Sequence, residues 1–246
     1  MSQVTAKRSD LSTTLQLYLR TSFDNEQYAQ LDQAGEVDAK PLHLRSIFID
    51  LDAGSRSEKD ARVFVQAHPE CAKDFRQFAD PDERFSACKA LLASTVPRAV
   101  LIGGPGQGKS TLCQFTAQIH RTYLLQRLAG ATLQEPPFVP LQVRLPFRVI
   151  LKDYAQWISG ITDGASLETF VALQVHERTA RSITPEQIQE LIRQNPTLLI
   201  LDGLDEVTDR ELRSRMLGLV FDFLGIRFTH QDPTDCGLAL AFAEVG

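Results

Sequence analysis

Long apolar runs and an excess of basic charge are both absent from the sequence, and each absence removes a class of protein. No stretch of the 246 residues approaches the ~20 consecutive apolar residues that a membrane-spanning helix needs. The opening segment, Met1 to Arg8, is polar, so no signal peptide begins there. The 26 basic and 31 acidic residues leave a net charge of −5, which gives no reason to expect nucleic-acid binding through bulk electrostatics. We therefore expect a cytoplasmic chain with neither a membrane nor a nucleic acid as partner.

The sequence also contains few cysteines and no histidines at the spacing of metal ligands. The four cysteines are scattered, which predicts free thiols in a reducing compartment rather than a disulfide framework. The five histidines form no ligand-spaced pair with cysteine or carboxylate, so no zinc site is expected. The chain is long enough to bury a substantial core, as one large domain or as a core domain with an extension. The cysteines are Cys71, Cys88, Cys113 and Cys236.

A glycine-rich run near the middle of the chain fits the pattern G-x-x-x-x-G-K-[ST]. In that pattern backbone N–H groups wrap triphosphate oxygens, and only glycine tolerates the path. A helix that begins there points its free N–H groups and positive dipole end at the anion. Lys109 would reach the β- and γ-phosphates of ATP, and the Ser110 hydroxyl would bind Mg²⁺. The expected nucleotide-contacting residues are Gly103, Gly104, Pro105, Gly106, Gln107, Gly108, Lys109, Ser110 and Thr111.

The surroundings of this run match what phosphate binding requires. The segment from Arg98 to Ile102 is short and apolar, as a buried parallel strand should be. After the run, apolar residues recur at helical spacing, from Leu112 to Tyr123. The alternative is a glycine-rich turn that binds nothing, but such a turn has no need of Lys109 and Ser110.

A second motif is an apolar run that ends in acidic residues. The segment from Thr197 to Leu201 leads into Asp202, which predicts an aspartate at the crevice where open α/β sheets bind ligands. Asp202 would hold Mg²⁺ directly or through water. Asp205 or Glu206 would polarise the attacking water as general base. An acidic turn after a core strand is the alternative, and the glycine-rich run about 95 residues upstream weighs against it.

Together the two motifs resemble those of NACHT domains, which belong to the STAND class of signal-transduction ATPases. Leu198 to Glu206 reads as four apolar residues followed by D-G-L-D-E, and the form D-G-x-D-E separates this family from generic phosphate-loop ATPases. The run at 103–111 resembles the first, Walker A, motif of the family. Between the two, Phe138 to Leu145 with a later Asp153 resembles its intermediate strand, although the Leu-Arg-Asp step is not intact after Leu145.

This resemblance implies an α/β fold: a P-loop NTPase with a parallel sheet flanked by helices in three layers. It divides the chain into an N-terminal extension at 1–95, a NACHT-like core at 96–225 and a tail at 226–246 that does not follow the family pattern. The extension is expected to hold helices and one strand, from Leu42 to Leu51, and its role is unassigned.

The tail lacks a motif that the resemblance requires. Such domains have a further parallel strand between the phosphate-loop strand and the acidic strand; it ends in T-[ST]-R, and its arginine senses the γ-phosphate. The preceding helix is predicted to start with a capping box of Thr208 and Glu211 and to end at Gly225. Either residues 238–245 fill the place of the missing strand or the sheet is incomplete. Because nothing in the tail matches the motif, the sequence favours an incomplete sheet.

The leading functional prediction is ATP binding with slow Mg²⁺-dependent hydrolysis, used as a conformational switch in signalling or defence. In STAND proteins, as the resemblance implies, nucleotide exchange controls oligomerisation and an attached effector, so self-association is expected; the effector and sensor partners are not identified. One alternative is a truncated, non-catalytic remnant that binds nucleotide weakly or not at all. Another is a different P-loop enzyme, a nucleotide kinase or a GTPase; no N/T-K-x-D segment for reading guanine is present.

Overall fold

A computed structural model of the chain describes residues 2–28, 42–50, 52–53, 85–93, 98–102, 106–228 and 238–244. Its strands are β1 (Asp52–Ala53), β2 (Phe85–Ser86), β3 (Arg98–Ile102), β4 (Leu145–Ile150), β5 (Thr197–Asp202) and β6 (Leu238–Glu244). Its α-helices are α1 (Ser2–Asn25), α2 (Leu44–Ile47), α3 (Ala87–Leu92), α4 (Lys109–Ala129), α5 (Leu151–Ser159), α6 (Leu167–Thr179), α7 (Pro185–Gln194) and α8 (Arg210–Phe228). A 3₁₀ turn, Leu204–Glu206, follows β5.

The main sheet is parallel, and helices cover both of its faces. Among the described residues its strand order is β3-β6-β5-β4, and each neighbouring pair runs parallel. Alternate residues of β5 enter different cores. Leu199 and Leu201 pack with α1, α5, α6, α7 and α8, whereas Leu198 and Ile200 pack with α2, α3 and α4. A strand buried on both faces has to be apolar at successive positions, and this is why the sequence here is a continuous apolar run. The architecture is therefore α/β, as the sequence predicts.

Strand β6 lies between β3 and β5, so the prediction of an incomplete sheet is wrong. Phe242 stands opposite Val100 on one side and Leu201 on the other, both in parallel register. Because β3 and β5 do not pair with each other, their facing backbone groups depend on β6. Each such group left buried and unpaired would cost about 1–3 kcal/mol. The pairing does not require the T-[ST]-R motif, because backbone groups form the ladder and side chains need only suit a pleated surface.

Helix α8 begins and ends later than the sequence predicts. The Asp209 carboxylate, through Oδ1, accepts a hydrogen bond from the backbone N–H of Leu212 at 2.9 Å. Asp209 is therefore the N-cap, and the predicted capping box of Thr208 and Glu211 is wrong by one residue; aspartate is the stronger capping residue of the two candidates. The helix also continues through Gly225 into a further turn and so crosses the boundary expected there. A single interior glycine costs a helix only about 1 kcal/mol relative to alanine.

The segment from Leu42 to Leu51, predicted as a strand, holds the short helix α2 instead; Leu51 itself lies outside the described residues. Leu44 is buried, and the ring of Phe48 stacks on Phe115 of α4 with centroids 3.7 Å apart. Residues four apart lie on one side of a helical turn, so this apolar spacing suits a helix better than an alternating strand.

Side-chain caps fix the starts of α6 and α7. The Ser166 hydroxyl accepts a hydrogen bond from the backbone N–H of Thr169 at 3.1 Å, as an N-cap should. Thr184 and Gln187 form a reciprocal capping box at the start of α7, and that helix stops at Asn195 before a proline. The two helices bury their apolar residues in the core that contains Leu199.

The described cysteines and helices bear on two of the sequence predictions. Cys88 and Cys113 are free and buried, and burial raises the pKa of both thiols, that of Cys88 to about 12. Cys71 and Cys236 lie outside the described residues. In the ranges that the structure describes, none of the helices is long and apolar enough to cross a bilayer.

Amide hydrogen exchange can test the placement of β6. Residues 238–244 should be protected as strongly as Thr197–Asp202 of β5, because both strands are paired on both sides. The exposed loop at 162–164 is the control and should exchange rapidly. Exchange in β6 as fast as in that loop would contradict the observed strand order.

Candidate functional site

The two sequence motifs meet at one end of the sheet. The Ser110 hydroxyl donates a hydrogen bond to Asp202 Oδ1 at 2.8 Å, joining residues 92 positions apart in the chain. Asp202 is the last residue of β5 and is buried, whereas Ser110 lies in the first turn of α4 and is exposed. The structure thus brings together the two residues that the sequence assigns to Mg²⁺.

The start of α4 has the backbone form that the glycine-rich run requires. Gly108 occupies the N-cap position with φ of 78°, in the left-handed region that side chains other than glycine rarely adopt. Lys109 is the first helical residue, so the N–H groups of the first turn have no carbonyl of the same helix to pair with. Gly106 and Gln107 precede this turn and are exposed, and Thr111 follows within it. The remaining residues of the predicted run, Gly103, Gly104 and Pro105, lie outside the described residues.

Asp205 and Glu206 have surroundings unlike those of Asp202. Gly203, with φ of 81°, turns the chain sharply after β5, and the two acidic residues then lie exposed on the 3₁₀ turn. Glu206 Oε2 is 3.9 Å from Lys152 Nζ at the start of α5. The site therefore offers one buried carboxylate next to a hydroxyl and two carboxylates in contact with solvent.

Sequence reasoning missed Arg148, which completes the environment of Asp202. Its Nη2 donates a hydrogen bond to Asp202 Oδ2 at 2.6 Å, so a different partner holds each carboxylate oxygen. Arg148 is buried in the middle of β4, where its neighbours along the strand are apolar. The overlooked signal is an arginine inside an apolar run, because a buried guanidinium has to find a carboxylate.

Behind Arg148 lies a second buried carboxylate, Glu26, which follows α1. Its Oε2 accepts a hydrogen bond from Arg121 Nη1 of α4 at 2.7 Å and is 3.9 Å from Arg148 Nη1. Its Oε1 is 3.0 Å from Arg178 Nη2 of α6. One carboxylate therefore connects the N-terminal segment to α4, β4 and α6.

Opposing effects set the pKa of these groups. Burial by itself would raise the pKa of Glu26, but the charges of Arg121, Arg148 and Arg178 outweigh it and lower that pKa to about 2. Burial would likewise lower the pKa of Arg148, and the charges of Glu26 and Asp202 reverse that effect and raise it. Glu26 and Arg148 are therefore both charged at neutral pH. Three guanidinium groups, those of Arg121, Arg148 and Arg178, therefore share the two buried carboxylates of Glu26 and Asp202.

The donor set of the site suits a shared Mg²⁺ ion rather than a metal held by protein alone. Within the described part of the chain, no cluster of three or more His, Cys, Asp or Glu residues could hold a metal ion. A hydroxyl and a carboxylate 2.8 Å apart are the hard oxygen ligands that Mg²⁺ takes, with phosphate and water oxygens completing its shell. Ser110 and Asp202 therefore fit the ion that the sequence implies.

Scans against protein-family models and against curated proteins found no match to this chain. The assignment of the site consequently depends on its own chemistry. That chemistry comprises a glycine-capped helix N-terminus, a lysine and a serine in its first turn, and a buried aspartate at the end of the facing strand.

Replacing Glu26 with glutamine should destabilise the protein near neutral pH and have a smaller effect in acid. The pKa of Glu26 is lower in the folded protein than in the unfolded chain. As the pH falls, the Glu26 carboxylate of the unfolded chain is therefore protonated before that of the folded protein. The stabilisation is complete above about pH 4.5 and is lost as the pH falls towards about 2. A shift of this size corresponds to on the order of 3 kcal/mol.

Urea unfolding of both proteins at about pH 6 and about pH 3.5 measures the difference in their free energies of unfolding. The titration of His120 does not affect this comparison. Burial, followed by the charge of Arg144, lowers the pKa of His120 to about 3, so it destabilises both proteins equally below pH 6.5 and cancels in the difference. A difference that is the same at both pH values would contradict the role given to Glu26.

Proposed function

We propose that this chain is a P-loop NTPase of the NACHT type, which binds Mg·ATP at the start of α4 and hydrolyses it slowly as a conformational switch. The hydrogen bond from Ser110 to Asp202 carries the proposal. It joins the serine of a G-x-x-x-x-G-K-[ST] run to the aspartate that ends a buried strand, and this pairing is what Mg²⁺ coordination in P-loop NTPases requires.

Two further features support the family part of the proposal. A parallel strand, β6, lies between β3 and β5, where the resemblance predicts one. Strand β4 ends at Ile150, and Leu151, Lys152 and Asp153 follow immediately at the start of α5. The sequence predicts the intermediate strand at Phe138 to Leu145, but the strand begins only at Leu145 and ends at Ile150. The residues after its end read Leu-Lys-Asp, which resembles the family's Leu-Arg-Asp step with lysine in place of arginine.

Each residue then has a defined task. The N–H groups of the first turn of α4 and the Lys109 ammonium bind the phosphates. Ser110 and Asp202 would hold Mg²⁺, and the bound ion would supply positive charge that stabilises the phosphates. Asp205 or Glu206, being exposed next to the site, accepts the proton of the attacking water. As a STAND-type switch the chain would work in the cytoplasm, and nucleotide exchange would control its self-association and an effector.

A nucleotide-binding protein without turnover is the second candidate. The sequence of β6, Leu238–Glu244, contains no basic residue, so the strand in the sensor position has no arginine to offer the γ-phosphate. The loss of an arginine that stabilises the transition state slows phosphoryl transfer by about 10³–10⁵-fold in related sites. On this reading Lys109, Ser110 and Asp202 bind Mg·ATP, and hydrolysis is negligible.

Replacing Lys109 with alanine should weaken Mg·ATP binding by at least tenfold, about 1.4 kcal/mol or more, because phosphate charge loses its ammonium partner. Titration of labelled ATP into the purified proteins measures the change. Lys89→Ala is the matched control, since Lys89 is exposed on α3 and has no part in the proposed site. Equal affinities for the wild type and Lys109→Ala would refute the proposal.

Substitutions of the three carboxylates should have different effects on ATP binding and on hydrolysis. Asp202→Asn should lose the Mg²⁺ dependence of ATP binding, whereas Asp205→Asn or Glu206→Gln should leave binding intact. Of these last two variants, the one that lacks the general base should slow single-turnover hydrolysis by ~10²–10⁴-fold. If neither slows it, the base assignment is wrong; if the wild type binds Mg·ATP without hydrolysing it, the second candidate function is the correct one.

A further inference from the structure

We propose that Arg148 is a positioning residue of the nucleotide site: it fixes the orientation of the Asp202 carboxylate, and Glu26 of the N-terminal segment fixes Arg148. This inference depends on the proposed Mg·ATP function. It assigns a task in metal binding to Glu26, which belongs to the N-terminal extension that the sequence left without a role.

The Asp202 carboxylate needs such a restraint. The terminal torsion of aspartate is broad, so rotamer preference alone does not fix the orientation of the carboxylate plane. In the structure Oδ2 accepts from Arg148 at 2.6 Å, and Oδ1 accepts from Ser110 at 2.8 Å. The short charge-assisted bond to the guanidinium therefore fixes the plane of the carboxylate, with its other oxygen next to the hydroxyl.

Arg148 is itself well placed to impose that orientation. In the parallel pairing of β4 with β5, Arg148 stands opposite Ile200 and Ile150 stands opposite Asp202. Arg148 is thus one pleat behind Asp202 on the same face of the sheet, and a rigid ladder sets the distance between them. A guanidinium spans two carboxylates because its nitrogens lie in a fixed planar fork.

Glu26 explains how the guanidinium stays compensated when a cation shares Asp202. A buried arginine that lost part of its only counter-charge would be costly. Glu26 Oε2, 3.9 Å from Arg148 Nη1, is a second counter-charge, and Arg121 holds it independently through its bond at 2.7 Å. The backbone around Glu26 is fixed as well. Gln114 Nε2 of α4 donates to the Glu26 carbonyl at 2.8 Å.

Four proteins test the proposal: wild type, Arg148→Gln, Arg148→Lys and the control Arg178→Gln. Arg178 also binds Glu26, at 3.0 Å, but it does not reach Asp202, and Arg121 still holds Glu26 when Arg178 is lost. Two affinities are measured for each. One is that of Mn²⁺, in place of Mg²⁺, by electron paramagnetic resonance with saturating ATP; the other is that of ATP with no divalent cation. Circular dichroism and thermal midpoints monitor folding.

Arg148→Gln should weaken Mn²⁺ binding by about 10–100-fold, the usual effect of removing a group that orients a metal ligand, and change metal-free ATP affinity less than about twofold. Arg148→Lys keeps the charge but not the planar fork, so an intermediate loss of Mn²⁺ affinity is expected; if Arg148→Gln does not fold, this variant decides. Arg178→Gln should lower the thermal midpoint and leave both affinities within about twofold of wild type.

Every other outcome overturns the inference, and the outcomes differ in what they show instead. Unchanged Mn²⁺ affinity in both Arg148 variants would make Arg148 structural only. Tighter Mn²⁺ binding would mean that Arg148 competes with the metal for Asp202, and an equal loss in Arg178→Gln would mean that general weakening of the charge cluster is responsible. A wild type that binds neither ATP nor Mn·ATP would overturn the proposed function together with this inference, whereas normal wild-type binding with unaffected Arg148 variants overturns the inference alone.

Discussion

The buried carboxylate of Glu26 is the contact on which the arrangement of the site depends. It compensates guanidinium groups from α4, β4 and α6, and through Arg148 it is linked to Asp202. Removing one partner from such a cluster leaves a buried charge uncompensated, which is far more damaging than losing an exposed pair. The N-terminal segment, the helix that begins at the glycine-rich run and the strand beside Asp202 are therefore coupled electrostatically as well as packed.

Local rules explain why some residues of the site could be predicted from sequence. Gly108, Lys109 and Ser110 follow an apolar strand and begin a helix, and Asp202 ends a second apolar strand, so their type and spacing carry the prediction. Arg148 and Glu26 follow no such rule, since their pairing exists only after helix and sheet have packed. The composition gave one indication, a charged residue within an apolar run, but it did not name the partner.

Strand β6 shows a different limit of sequence reasoning. The side chains of the tail match no sensor motif, whereas its place in the sheet depends on backbone hydrogen bonds to β3 and β5. Side-chain motifs report on ligand chemistry, and backbone pairing reports on fold. For this reason β6 can complete the sheet although its sequence lacks the sensor motif that the resemblance predicts. The short helix α2 makes a similar point, because tertiary contacts to Phe115 decided between two readings of one apolar segment.

The strand order also governs when the sheet can form. Arg98 of β3 pairs with Leu240 of β6, about 140 positions later in the chain, and pairings of such high contact order are slow to form. On the ribosome, β3, β4 and β5 all emerge before the strand that joins β3 to β5. Strand β3, which precedes the glycine-rich run, and β5, which ends in Asp202, therefore become parts of one continuous sheet only after synthesis has passed β6. A nascent chain that stalls earlier leaves two open strand edges that can pair with other chains.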